Sequence, residues 1–240
     1  MEVMELTRNV QAVRDRIESA ARRAGRDPGE ITLCAATKVQ DDDTIRAAIA
    51  AGIQVCGENR VQELCAHLDA GAYAGARVVH FIGHLQTNKV KQVVGRVALI
   101  QSVDSEHLLR AVHSQAEKMG CVQDILLEVN IAREQSKGGC PVEELPALVR
   151  LAQALGHVRL RGLMAIPPLS RRPGDNLPYF SAMRELFVDI RGKMTDNYSD
   201  MDCLSMGMSG DFEDAVARGA TLVRVGTALF GPRPPMGAAR

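Results

Sequence analysis

The chain has 240 residues, 29 lysines and arginines against 29 aspartates and glutamates, and a hydrophobic fraction of 46%. That is ample apolar material for a packed core, and a net charge of zero gives no global reason to expect nucleic acid or an acidic membrane as partner. No apolar run reaches the about 20 residues of a membrane span, and the start Met1-Glu2-Val3-Met4-Glu5-Leu6 carries acids where a secretory leader is apolar.

The first segment, roughly 3–24, sets Val3, Leu6, Val10, Val13 and Ile17 at helical spacing. Short apolar runs then alternate with amphipathic stretches to the end of the chain. Strands are expected at 31–37, 53–57, 77–83, 98–103, 124–131, 159–166, 202–207 and 222–227. Helices are expected near 41–51, 58–70, 86–95, 105–119, 141–155, 178–195 and 211–218. Asp41 to Asp43, Ser105 and Pro141 read as helix starts, and Gly52 and Gly120 as helix ends. The run Pro167-Pro168-Leu169-Ser170-Arg171-Arg172-Pro173-Gly174-Asp175-Asn176 reads as a mobile rim loop. Residues 1–231 are expected to form a single domain, and 232–240 a flexible tail.

About eight strand–helix units in a row argue for a closed parallel (β/α)8 TIM barrel with an extra N-terminal helix, rather than an open sheet. An open doubly wound sheet carries a Gly-x-Gly-x-x-Gly turn after its first strand; here that place holds Lys38-Val39-Gln40-Asp41. The six cysteines are scattered, with no Cys-x-x-Cys pair and no histidine at zinc-finger spacing. Reduced thiols in a cytoplasmic protein, and no metal site, are the expectation.

In such a barrel the chemistry collects at the carboxyl ends of the strands. Those ends offer Lys38, Glu58 and Asn59, His84, Ser102, Asn130, Met164 and Ile166, Met206 with Gly207 and Ser209, and Arg224 with Gly226 and Thr227. Alternation puts Thr32, Cys34, Ala36 and Lys38 on one face, small or polar as a crowded barrel interior requires. Leu222, Arg224 and Gly226 share a face in the same way. A lysine at the end of an apolar strand can serve as a Schiff-base amine, although a lysine that merely reaches solvent is the commoner case. An arginine pointing into a barrel is costly unless something binds it.

The loop Ser205-Met206-Gly207-Met208-Ser209-Gly210-Asp211 and the turn Gly226-Thr227 supply glycine backbone and hydroxyls after strands seven and eight, where barrels hold phosphate. The alternative is a pair of ordinary turns, with Asp211 capping its own helix. Lysine, inward arginine and phosphate cup together point to pyridoxal phosphate. Its aldehyde would join Lys38, its phosphate would lie on Ser209, Gly226 and Thr227, and its ring nitrogen would face Arg224. An arginine there holds that nitrogen unprotonated.

The segments Ala35-Ala36-Thr37-Lys38, Gly57-Glu58-Asn59-Arg60-Val61-Gln62-Glu63 and His80-Phe81-Ile82-Gly83-His84-Leu85-Gln86-Thr87-Asn88-Lys89 carry a family resemblance. So do Ser102-Val103-Asp104-Ser105, Lys137-Gly138-Gly139, Leu204-Ser205-Met206-Gly207-Met208-Ser209 and Val223-Arg224-Val225-Gly226-Thr227. The chain resembles the pyridoxal phosphate homeostasis proteins, built like the barrel domain of alanine racemase, a fold-type III pyridoxal phosphate architecture. The resemblance implies a covalent bond at Lys38, phosphate contacts from Ser209, Gly226 and Thr227, a ring-nitrogen contact from Arg224, and Asn59 near the cofactor; Met206, at the end of strand seven, is a further candidate cofactor contact. The resemblance also implies a carrier or buffer of the cofactor in vitamin B6 and amino-acid homeostasis, without established turnover; apo-enzymes are the candidate recipients, and the expected lack of a second domain fits exchange of the cofactor and a monomer.

This chain departs from the family in carrying Gln40 and Asp41 where a second lysine and a proline are common, which leaves Lys137 as an accessory lysine or a solvated one. His80 and His84 read as packing and hydrogen-bonding residues. The alternative function is a pyridoxal phosphate-dependent amino-acid racemase, which needs a second acid–base group facing Lys38. In alanine racemase a tyrosine from a second domain fills that role, and the expectation here is that the chain stops too soon after strand eight to supply one. Tyr73, Tyr179 and Tyr198 all fall in expected helices or their edges. A Schiff-base aldolase on the same barrel is the third reading; it would not require Arg224.

Overall fold

The computed structural model describes residues 3–134, 137–193 and 201–232. Eight parallel strands close into a barrel in chain order. They are β1 (Thr32–Ala36), β2 (Val55–Glu58), β3 (Val78–Phe81), β4 (Leu99–Val103), β5 (Gln123–Glu128), β6 (Val158–Met164), β7 (Cys203–Ser205) and β8 (Leu222–Val225). Each lies inside its expected range or within a residue of it. The expected tail 232–240 falls outside the described residues beyond Pro232.

The helices are α1 (Val3–Arg23), α2 (Asp42–Ala50), α3 (Val61–Asp69), α4 (Glu106–Lys118), α5 (Leu145–Ala154), α6 (Leu177–Lys193), α7 (Phe212–Ala217) and α8 (Thr227–Phe230). Between β3 and β4 the expected helix is instead a 3-10 stretch, Thr87–Gln92. Asp41 caps α2 by accepting from the Thr44 N–H at 2.8 Å, and Ser105 caps α4 through the Leu108 N–H. Pro141 does not open α5: a turn over 141–144 intervenes, and Pro146 stands in the first helical turn.

The final helix is a single turn, too short to cover the outer side of the β8–β1 seam. α1 takes that place: Leu6, Val10, Val13, Ile17, Ala20 and Ala21 are all buried, and the helix packs against α2, α7 and α8. The larger core therefore lies between sheet and helices, including Ala35, Cys56, Phe81, Ile100, Val223 and Val225. Inside the barrel are two smaller apolar patches. One joins Cys34, Ala36, Val55, Ile82 and Leu222; the other joins Leu99, Leu126 and Met164. The alternation expected for the first and last strands is thus the one observed.

A cavity of about 1590 Å³ opens at the N-terminal ends of the strands, lined by arginine–acid pairs such as Arg161 with Asp124 and Asp202. That is the opposite end of the barrel from Lys38. Among the described residues no helix is long and apolar enough to cross a membrane, and all six cysteines are free thiols.

Candidate functional site at the carboxyl ends of the strands

β1 ends one residue before a tight turn, Thr37 to Gln40, closed by the Gln40 N–H donating to the Thr37 carbonyl at 3.0 Å. Lys38 is half-buried at its first corner. Val39 follows with φ at 59°, a left-handed conformation that a β-branched residue rarely adopts. Its N–H donates to Glu63 Oε2 at 2.9 Å, so a carboxylate on α3 holds the strained corner in place.

Behind the turn, Glu58 is fully buried. It accepts from the Thr37 hydroxyl at 2.7 Å and from the Asn59 N–H at 3.2 Å. Burial pushes its carboxyl up from the ordinary range, and the Thr37 bond works against that. Glu58 therefore ties the turn that carries Lys38 to the residue that carries the Asn59 side chain. Asn59 Oδ1 is buried with no partner among the described residues, although a buried carbonyl oxygen normally accepts a bond.

Across the seam, Cys34 pairs with Arg224 in register, so Lys38 and Gly226 emerge from adjacent strands. Arg224 is 4% exposed. It donates to Ser205 Oγ and, at 2.9 Å, to the Ala165 carbonyl. Burial pulls its pKa down. No carboxylate stands within ion-pair distance among the described residues, and a guanidinium has more N–H donors than these two bonds use. A buried charge left in that state wants an acceptor from outside the chain.

The loops after β7 and β8 meet beside it. Ser209 Oγ accepts from the N–H groups of Gly226 and Ala228, each at 3.2 Å, which leaves its own hydrogen to donate. The N–H groups of Ser209, Gly210 and Thr227 take no partner among the described residues. The Asp211 side chain does not cap α7 in the way the alternative of ordinary turns would have it. Its Oδ1 accepts from the Met208 N–H at 2.7 Å and its Oδ2 from Asn176 at 2.7 Å. Asn176 also donates to the Pro168 carbonyl, and Asp214 accepts from the Gly174 N–H. The rim loop is pinned to the anion cup by these bonds, more firmly than a loose rim requires.

Lys38, Asn59, Arg224, Ser209, Gly226 and Thr227 are therefore all brought to one mouth. Met206 is not among them. Alternation along β7 turns Ser205 inward, so the Met206 side chain lies in the outer core with Leu204 and Phe212. Asn130 is also spent elsewhere, bonded to the backbone of Glu134 at 2.8 and 3.1 Å. His84 is exposed and 3.8 Å from Asp104. Lys137 is exposed on its loop.

Two features escaped the sequence reading. Glu128, at the end of β5, is 5% exposed. Burial first, then the nearby Asp104, pushes its carboxyl up to about 7, with Arg224 opposing. The other is a polar row inside the barrel. Ser205 donates to Gln101 Oε1 at 2.6 Å, and Gln101 Nε2 meets His80 Nδ1 at 3.0 Å. Ser205 stands between apolar Leu204 and Met206, and that alternation was the signal to be read.

Comparison with known proteins follows the same lines. A family model described as alanine racemase, N-terminal domain, matches residues 8–234. The chain is 42% identical over 231 residues to the pyridoxal phosphate homeostasis protein of Aquifex aeolicus, covering 96% of this chain and 99% of that protein. It superposes with a TM-score of 0.80 on PipY of Synechococcus elongatus, solved with PLP bound, at 32% identity over 94% of this chain and 100% of that one. Alanine racemase from Streptomyces lavendulae shares the fold, with a TM-score of 0.71 at 19% identity; 97% of this chain matches 58% of that one.

Proposed function

The chain belongs to the pyridoxal phosphate homeostasis proteins, a family built on the alanine racemase N-terminal domain, and from that membership we propose that it binds pyridoxal 5'-phosphate covalently and carries or buffers it. The single observation that carries this reading is Arg224: a buried guanidinium with donors to spare and no carboxylate partner among the described residues, facing the same mouth as a lysine and an anion cup. The orphaned Asn59 oxygen fits a polar ligand in the same place.

Pyridoxal phosphate supplies an aldehyde that an amine can capture, a ring nitrogen that can accept a hydrogen bond, and a phosphate. The chain's own groups divide accordingly. Lys38 provides the amine, presented by the strained turn. Arg224 donates to the ring nitrogen and, being unable to give up its proton, keeps that nitrogen unprotonated. The N–H groups of Ser209, Gly210 and Thr227 and the Ser209 hydroxyl hold the phosphate. Asn59 accepts or donates at the ring's edge, steadied by Glu58 through its own N–H.

We read the protein as a carrier without catalytic turnover, delivering to apo-enzymes as a cytoplasmic monomer. Racemisation needs an acid–base group opposite the lysine. Tyr73 lies in the outer core and Tyr179 on α6, while Tyr198 falls outside the described residues.

The test is borohydride reduction of the protein loaded with pyridoxal phosphate, followed by peptide mass spectrometry. The label is expected on Lys38 and absent in Lys38→Ala. A label elsewhere, or a colourless protein that takes up none, overturns the cofactor reading and favours the aldolase. Transfer of bound cofactor to an apo-enzyme faster than release into buffer supports delivery. Rapid α-proton exchange of amino acids by the loaded protein would establish a racemase instead.

A further inference from the structure

A row of polar side chains crosses the barrel interior between two apolar patches that share only Cys203. Arg224 on β8 donates to Ser205 on β7. Ser205 donates to the Gln101 carbonyl on β4 at 2.6 Å, and the Gln101 amide reaches His80 on β3 at 3.0 Å. On one side of the row lie Cys34, Ala36, Val55, Ile82 and Leu222. On the other lie Leu99, Leu126 and Met164. All four polar residues are buried, at 4%, 0%, 0% and 7% exposure for Arg224, Ser205, Gln101 and His80.

The direction of every bond in the row follows from its ends. A guanidinium only donates, so Ser205 Oγ accepts and its hydrogen points on to Gln101. The Gln101 carbonyl is then taken, so its amide donates and His80 Nδ1 accepts. The imidazole must be neutral, with its proton on Nε2. Arg161 on β6 and Asp124 on β5 are the charged groups that face it; burial and Arg161 hold it neutral against Asp124. Every donor points away from Arg224, so each bond polarises the next.

A row of this kind is weak support for the fold. Apolar residues of similar volume would join the two interior patches into one, at little or no cost in stability. Its effect falls on Arg224, whose guanidinium is fixed in angle by Ser205 and by the Ala165 carbonyl.

We propose that Ser205 and Gln101 are positioning residues, which together with neutral His80 aim the free N–H groups of Arg224 at the ring nitrogen of the cofactor. This rests on the cofactor reading given above. With the row intact, the ring nitrogen always meets a donor and takes no proton. With it broken, the guanidinium can turn away, and the nitrogen titrates on its own.

The experiment compares wild type, Ser205→Ala, Ser205→Thr and Gln101→Met, each loaded with pyridoxal phosphate. The visible absorption band is followed from acid to alkaline pH, and borohydride labelling is run on each. The expected result is a new titration step in the band of Ser205→Ala and Gln101→Met, absent from wild type and from Ser205→Thr, which keeps the hydroxyl. Losing its bond to the charged guanidinium is also expected to weaken cofactor binding about ten-fold in Ser205→Ala, and by less in Gln101→Met, which removes only neutral bonds further along the row. Should Gln101→Met fail to fold, Ser205→Ala carries the same readout. If wild type fails to label at Lys38, the cofactor reading falls. If wild type labels there and the broken variants keep its pH profile, the positioning role falls alone, whatever their stability.

Discussion

Replacing Glu128 by glutamine keeps the shape of the side chain and removes its titration. In the native barrel this carboxyl is 5% exposed and its pKa moves from 4.5 to about 7, chiefly through burial and secondarily through Asp104. Below pH 4.5 the native and unfolded carboxyls are both protonated, so the group has no effect on stability. Between pH 4.5 and about 7 the unfolded chain releases its proton while the native one keeps it, so stability falls as pH rises. At about 1.4 kcal/mol per pH unit the full loss is about 3 kcal/mol, reached above pH 7. Glu128→Gln therefore leaves stability unchanged near pH 4 and raises it by about 3 kcal/mol at pH 8. For a domain of this size that is a rise in Tm of about 6–12 °C. The assay is urea unfolding of the cofactor-free wild type and variant at a series of pH values. His80 acts in the opposite direction over an overlapping window: its pKa falls from 6.5 to about 4, so it removes stability as pH drops through that range, in both proteins alike. Taking the difference between variant and wild type cancels that background. A gain that is flat with pH, or that grows toward acid, would refute the reasoning, because it would mean the carboxyl is solvated or paired in the native state.

Two further outcomes follow from backbone geometry at the same mouth. Val39→Gly relieves a left-handed φ of 59° at a half-exposed residue, and a net gain of about 1 kcal/mol is expected after the added freedom of the unfolded chain is counted; denaturant unfolding that showed a loss would mean the corner is not strained. Gly83→Ala would set a methyl group 2.0 Å from the Asn59 carbonyl oxygen. A cost of about 3 kcal/mol in unfolding experiments is expected, with loss of cofactor uptake as Asn59 is pushed aside; an unchanged affinity would remove Asn59 from the site.

Much of this was legible in the residues alone. The order of strands and helices, the closed parallel barrel and the inward facing of Cys34, Ala36 and Arg224 all follow from periodicity, which is a local property of the chain. Lys38, Ser209, Gly226 and Thr227 could be named because barrels put their chemistry at strand ends, and strand ends can be counted. Met206 was misplaced by a single step of alternation: Ser205 faces inward, so its neighbour faces the helices. On β4 the count from Leu99 does carry Gln101 inward, while the register shift between Ile100 and Val103 turns Val103 to the outer core; the count cannot show that Gln101 meets Ser205 and His80. What only the folded barrel decided is which side chains meet across it. His80, Gln101, Ser205 and Arg224 come from four strands spread over 145 residues, and Glu128 owes its displaced pKa to burial that no window of sequence contains. Periodicity sets the face on which a side chain stands, but hydrogen-bond partners and the dielectric around a charge are set by closure of the sheet, which brings distant strands within bonding distance.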